Sequence, residues 1–146
     1  MNSSTNDPNI NYTFCTKAFR TAPSSLYANL TRLGLISINL VRHNVTRTTF
    51  SIQTLLESNK VDNSTKLGLK DCLEVYSNSV PTLRESARDY RARRFNGANV
   101  KISSVMDAST TCEDGFGNVG VISPLTKQNN DTFQLSAIAL SIMSML

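Results

Sequence analysis

Three groups of residues in this chain have types and spacings that could do chemistry. The first is a pair of cysteines, Cys72 and Cys112, each set inside a helical pattern. Joined, they would staple two helices together in an oxidising compartment; apart, they would pack as two small buried hydrophobes. The second is a run of cations. Arg84, Arg88 and Arg91 stand at i, i+4 and i+7, on one helix face, and Arg93, Arg94 and Phe95 follow at once. Such a run suits a helix C-terminus, where the macrodipole favours positive charge, or a surface that docks onto an acidic partner. The third group is the set that catalysis would need: His43, the adjacent carboxylates Glu113 and Asp114, and the glycines of Gly115-Phe116-Gly117-Asn118-Val119-Gly120.

The third group does not assemble into a catalytic pattern. His43 is the only histidine, so any Ser-His-Asp or Cys-His arrangement would rest on it alone, and no Glu-x-x-His pair is present to hold a metal in a bundle. Adjacent helical carboxylates point apart, which is wrong for shared acid–base work. A dinucleotide site needs its glycine motif after a strand and before a helix; here the glycines follow a helix and read as its stop. The expectation is therefore a protein that is not an enzyme, with no catalytic residue, metal or cofactor.

The elements that must position these residues are helical. The chain has 146 residues, 40% hydrophobic and 18% charged, with no Trp and few Gly or Pro, an ordinary globular mixture that suits one domain over 1–146. The net charge of +4 is too mild and too diffuse to indicate nucleic acid. No segment is long and apolar enough to cross a membrane, and residues 1–14 lack the pattern of a signal peptide. Residues 1–24 read as an extension with a short helix over Tyr12–Phe19. A long helix follows over about 25–58, with Leu26, Leu30, Leu33, Ile36 and Leu40 as its buried stripe and β-branched residues at 45–51 threatening its regularity. The next helix places Leu69, Leu73, Tyr76, Val80, Leu83, Ala87 and Tyr90 in a heptad seam, with Pro81 inside as a kink.

Phe95-Asn96-Gly97 reads as the stop between the second and third helices. The third repeats the seam with Ala98, Ile102, Val105, Ser109, Cys112 and Phe116, and Gly115, Gly117 and Gly120 end it. Asp131 is the expected cap of the last helix, whose apolar set is Phe133, Leu135, Ile138, Ile142, Met145 and Leu146. The fold class is all-α: an up-down-up-down four-helix bundle over 25–146 with a short N-terminal helical extension. Six Asn-x-Ser/Thr sequons, at Asn2, Asn11, Asn29, Asn44, Asn63 and Asn130, are candidate acceptors for N-glycosylation in a secreted chain.

The turn near 94–97 makes the second and third helices antiparallel. Facing residues in such a hairpin lie equally far from the turn, and the midpoint of Cys72 and Cys112 is residue 92. The two sulfurs thus lie at about one height, which permits a bridge and equally permits two free thiols. Cys15 has no evident partner.

Asp71-Cys72-Leu73-Glu74-Val75-Tyr76 followed by Thr111-Cys112-Glu113-Asp114-Gly115-Phe116 resembles the plant invertase and pectin methylesterase inhibitor family, as do Leu135-Ser136-Ala137-Ile138-Ala139-Leu140 and Asn11-Tyr12-Thr13-Phe14-Cys15. Local details resemble its pollen-allergen branch. The resemblance covers about Asn9 to Leu146 and implies a secreted bundle with an N-terminal helical hairpin and two disulfides. Carried over, Cys72 and Cys112 form the bridge between the second and third helices. Cys15 matches the second cysteine of the hairpin bridge, whose first cysteine this chain lacks, so Cys15 is expected unpaired and the start truncated. The implied activity is non-covalent 1:1 inhibition of a cell-wall enzyme, in the extracellular space, by covering its active-site cleft. Invertase inhibitors of the family often carry Pro-Lys-Phe near the tip where this chain has Arg93-Arg94-Phe95. The missing proline leans the target towards pectin methylesterase rather than acid invertase. The alternative is a secreted structural or interaction protein, allergen-like, without inhibitory activity.

Overall fold

The computed structural model describes residues 24–146. They form four α-helices: α1 (Ser24–Glu57), α2 (Asn63–Arg91), α3 (Phe95–Asn118) and α4 (Thr126–Met143). No strand occurs among the described residues. Each helix packs on the next and α1 closes the ring against α4, which is the expected up-down-up-down bundle. The proposed Tyr12–Phe19 helix, Cys15, Asn2 and Asn11 lie outside the described residues.

The α3 seam is as the heptad spacing predicts and the α2 seam departs from it at two positions, where Leu73 and Val80 are only half-buried against the core. Leu69, Tyr76, Leu83, Ala87 and Tyr90 are buried on α2, and Ala98, Ile102, Val105, Ser109, Cys112 and Phe116 on α3. Between them Cys72 and Cys112 are bridged, with their Cα atoms 4.7 Å apart. Asp62 caps α2 by accepting the Thr65 N–H at 2.8 Å, and α2 continues through Pro81 to Arg91.

The α1 and α4 faces correct the sequence reading. Leu26, Leu33, Ile36 and Leu40, expected in the core, are 37–49% exposed. The buried side of α1 is Gly34, Ser37, Ile38, Val41, Val45, Thr48 and Ile52. On α4, Phe133 and Ile138 are exposed, while Asn129, Thr132, Ser136, Ala139 and Ser141 are buried with Ile142. Hydroxyls survive inside because they bond back along their own helix: Ser37 donates to Leu33 O, Thr48 to Asn44 O and Ser79 to Val75 O. Thr48 and Thr49 do so within the β-branched stretch, and α1 runs unbroken through it.

Element ends also shift. Gly97 lies in the first turn of α3, and the break is Ala92–Arg94 instead. Gly115 and Gly117 fall inside α3; only Gly120, with φ 70°, takes the left-handed backbone of a stop. Asp131 sits within α4, paired with Lys127 at 2.8 Å, rather than capping it. The helix starts earlier because fully buried Leu125 anchors it, its N–H donating to Ser123 Oγ at 3.0 Å.

A polar layer crosses all four helices. The Tyr76 hydroxyl on α2 donates to Asn129 Oδ1 on α4 at 2.6 Å and lies 3.1 Å from Thr132 Oγ1. Asn44 on α1 donates to Thr132 Oγ1 at 2.6 Å. Asn129 Nδ2 donates to Glu113 Oε1 on α3 at 2.7 Å, and Thr126 donates to Glu113 Oε2 at 2.6 Å. Burial, before the nearby Glu113 and Asp131 charges, pushes the Tyr76 hydroxyl up to about 12, so it stays a donor at every working pH. Among the described residues one side chain is left out: Ser136 Oγ is buried with no hydrogen-bond partner. Ser136→Ala removes an unsatisfied hydroxyl at little cost in volume, and thermal unfolding should show the variant at least as stable as wild type.

Candidate functional site

The site is the end of the bundle where α2 turns into α3 and α1 begins. Helix α2 ends at Arg91, and Ala92, Arg93 and Arg94 make the connection. Ala92 N–H donates to Arg88 O, Arg93 N–H to Tyr90 O and Arg94 N–H to Asp89 O, at 3.1, 3.0 and 2.8 Å. Arg93 has φ 60°, a left-handed conformation that a non-glycine residue adopts only when its surroundings hold it there.

Asp89 is the clasp. Its Oδ1 accepts from Arg94 Nε at 3.2 Å and sits 3.1 Å from another nitrogen of that guanidinium; its Oδ2 accepts from Lys101 on α3. The Asp89 side chain is 13% exposed. The Lys101 hydrogen bond, outweighing desolvation, and then the Arg94 bond hold its carboxyl below the ordinary carboxylate value. Gly97 makes the clasp fit, since a Cβ there would come within 2.7 Å of Asp89 Oδ2.

Beneath the turn, Tyr90 and Phe95 meet edge to face with ring centres 5.2 Å apart, and the Tyr90 hydroxyl donates to Thr31 O on α1 at 2.7 Å. Burial pushes that hydroxyl up to about 12. Gly34 allows this contact, because any Cβ at 34 would run into the Tyr90 hydroxyl. The hairpin tip is thereby fastened to the first turns of α1.

The result is a groove of about 320 Å³ lined by Ala28, Thr31, Arg32, Leu35, Tyr90, Arg91 and Arg93. The structure thus brings Arg91 and Arg93 together and adds Arg32, which the sequence reading missed. Its signal was available: in a hairpin centred near residue 60, position 32 stands level with position 88. Arg84 and Arg88 are exposed on the same α2 face, Arg84 about 10 Å along the axis from Arg91. Arg94 is turned to Asp89, and Phe95 is half-buried against Tyr90. Among the described residues, none of Arg32, Arg84, Arg88, Arg91 and Arg93 forms an ion pair. Open guanidinium groups around a concave, partly apolar floor can take carboxylates in planar, two-pronged contacts.

Towards the opposite end of the bundle stands Glu113. Glu113 is partly desolvated, which raises its pKa, but the Thr126, Asn129 and Ser123 hydrogen bonds prevail and leave the carboxyl lowered. Glu113 and Asp89 therefore stabilise the fold while ionised. That stabilisation is complete above the unfolded carboxylate values near ~4 and is lost as pH falls through the lower folded values. Melting temperature should be level down to about pH 5 and decline below ~4, and Glu113→Gln should flatten part of that decline.

The remaining candidates are dispersed. His43 is exposed on α1, and no group of three metal-ligating side chains occurs among the described residues. No helix of the described residues is long and apolar enough to cross a membrane. Of the sequons within 24–146, Asn29, Asn63 and Asn130 are exposed, whereas Asn44 Nδ2 is committed to Thr132 Oγ1 at 2.6 Å and Gln128 O at 3.5 Å.

Comparison with known proteins gives a consistent picture. The family model described as plant invertase/pectin methylesterase inhibitor matches residues 2–142. A Platanus acerifolia protein named "Putative invertase inhibitor" is 43% identical over 141 residues, covering 95% of this chain and 78% of that protein. The Arabidopsis thaliana protein named "Pectinesterase inhibitor 1" is 27% identical, over 96% of this chain and 78% of its own length. Among solved structures, a mutant form of a pectin methylesterase inhibitor from Arabidopsis superposes with a TM-score of 0.75 at 25% identity, covering 82% of this chain and 80% of that one.

Proposed function

The chain belongs to the plant invertase/pectin methylesterase inhibitor family, a family of inhibitors and not of enzymes, and from that premise we propose that it is a secreted inhibitor that docks tip-first into the active-site cleft of a cell-wall carbohydrate-modifying enzyme. The observation that carries this reading is the groove in which Arg32, Arg91 and Arg93 converge with no ion-pair partner among the described residues. A cleft that works by paired carboxylates, as in glycoside hydrolysis, offers the complementary charge. Arg84 and Arg88 extend the positive face along α2 and would steer the approach. The tip is preorganised by the Asp89 clasp and the Tyr90 anchor, so docking loses little conformational freedom. One inhibitor would cover one cleft, in the extracellular space.

Acid invertase is the favoured target. The 43%-identical relative is named "Putative invertase inhibitor", and we let this outweigh the missing proline at Arg93-Arg94-Phe95. Pectin methylesterase is the second reading, supported by Phe95, which packs on Tyr90 rather than standing free to fill a pocket. The test is titration of the purified protein against an acid invertase and a pectin methylesterase under mildly acidic conditions. Loss of invertase activity with a 1:1 endpoint is expected. Inhibition of the esterase alone would exchange the two targets, and no inhibition of either at micromolar protein would leave the interaction-protein reading in its place.

A further inference from the structure

We propose that Asn130 is an N-glycosylation site whose first sugar is seated in the groove between α3 and α4, a proposal that rests on the secretion reading above. The groove holds about 250 Å³ and is lined from α3 by Ser109, Thr110, Glu113 and Asp114, and from α4 by Asn130 and Phe133 among others. Asn130 and Phe133 are i and i+3 on α4, so they are neighbours on one face. Phe133 is 39% exposed, an aromatic side chain open to solvent beside the asparagine.

The chemistry of the groove matches an N-acetylhexosamine. The Phe133 ring offers an apolar face to the C–H side of a pyranose. The sugar's hydroxyls and acetamido N–H are donors, and the rim is rich in acceptors, with Asp114 and Thr110 both exposed. Glu113 in the floor is already engaged, both oxygens accepting internal hydrogen bonds, so the exposed rim groups do most of the recognising. The other sequons among the described residues lack this arrangement. Asn63 stands at the start of α2 and Asn29 on an outer turn of α1, neither in the groove, and Asn44 spends its amide inside the polar layer. Asn130 also lies at the end of the bundle away from Arg91 and Arg93, so a glycan there leaves the docking groove open.

The transfer needs a lipid-linked oligosaccharide diphosphate. Nδ2 of Asn130 forms a bond to the sugar C1 as the C1–O bond to the diphosphate breaks; the lipid diphosphate leaves and the amide gives up one proton. Thr132, the sequon's hydroxyl residue, is fully buried in the folded chain, so transfer precedes its burial. Thr132→Ala is for the same reason an unsuitable probe, because it would damage the polar layer.

The experiment is to express the full chain behind a secretory leader in plant cells and to map occupied sites by glycosidase release in heavy-oxygen water followed by peptide mass spectrometry. Asn130 should be occupied, and Asn130→Gln should lose one glycan's mass. Melting temperatures of wild type, Asn130→Gln, Phe133→Ala and the double variant then test the seat. Wild type should melt a few degrees above Asn130→Gln, and that difference should vanish in the Phe133→Ala background. Because the leader supplies the compartment, an unoccupied Asn130 overturns this proposal whatever the native chain's destination. Equal differences with and without Phe133 overturn the seat. Absence of the native protein from the cell-wall fraction would instead overturn the secretion reading.

Discussion

Replacing Arg91 by Glu and Arg93 by Asp together should weaken inhibition of the target enzyme by at least ~100-fold and leave the fold intact. Truncating one partner of a buried, hydrogen-bonded charge pair typically costs 2–5 kcal/mol at an interface, with each ~1.4 kcal/mol worth a factor of ten. Two lost pairs, now with repulsion in their place, therefore leave little binding. The fold should tolerate both changes, since both side chains are exposed and neither is in an ion pair among the described residues. Asp is chosen at 93 because short polar side chains accept the left-handed backbone found there better than most. Arg84→Glu with Arg88→Glu is the comparison. Lying farther along α2, these should slow association and change its salt dependence more than they speed dissociation. Inhibition titrations, with melting temperatures run alongside, separate the outcomes. Unchanged inhibition by a folded Arg91→Glu/Arg93→Asp protein would remove the tip as the docking surface.

The second large effect is on stability. Cys72→Ala with Cys112→Ala opens a loop closed across a sequence separation of 40, and the chain-entropy model assigns that closure about 4 kcal/mol. For a chain of this size the melting temperature should fall by roughly 8–16 °C. Both residues are essentially inaccessible, at 0 and 1% exposure. A mild reductant should therefore act slowly on the native protein and quickly once it is partly unfolded. Asn129 loses its 3.3 Å contact with the Cys112 sulfur in this variant but keeps Glu113, so the loss should come mainly from the staple. Differential scanning calorimetry of the variant against wild type measures it; a drop of only a degree or two would show that the packed seam holds the pair without the bond.

The two inner seams were legible because α2 and α3 bury large residues at regular steps, and only one period fits Tyr76, Leu83, Tyr90, Ile102, Val105 and Phe116. The outer pair was misread for the converse reason. Tyr90 comes so close to α1 that only Gly34 fits opposite it, and α1 and α4 also bury Ser37, Ser136 and Ala139, residues that hydropathy does not mark as core. Leu33, Ile36 and Leu40 are left outside although they are the more apolar set. At the tip, sequence supplied the cations but not which of them are free. Arg94 is neutralised by a residue five positions back, and Lys101 shares that carboxylate from the next helix. Such three-way pairing depends on the shape of the turn, which spacing does not encode.

The polar layer has a consequence for alignment. An apolar seam with a seven-residue repeat would tolerate one helix sliding past its neighbours by a turn, about 5.4 Å, at modest loss, because leucines and valines replace one another. Hydrogen bonds do not. Such a slip of α4 would carry Asn129 and Thr132 away from Tyr76, Asn44 and Glu113 together and strand several groups away from water at once. The layer thus works as an index mark, fixing the height at which four rods come to rest. That height is also what sets Arg32 level with Arg91 and Arg93 at the far end.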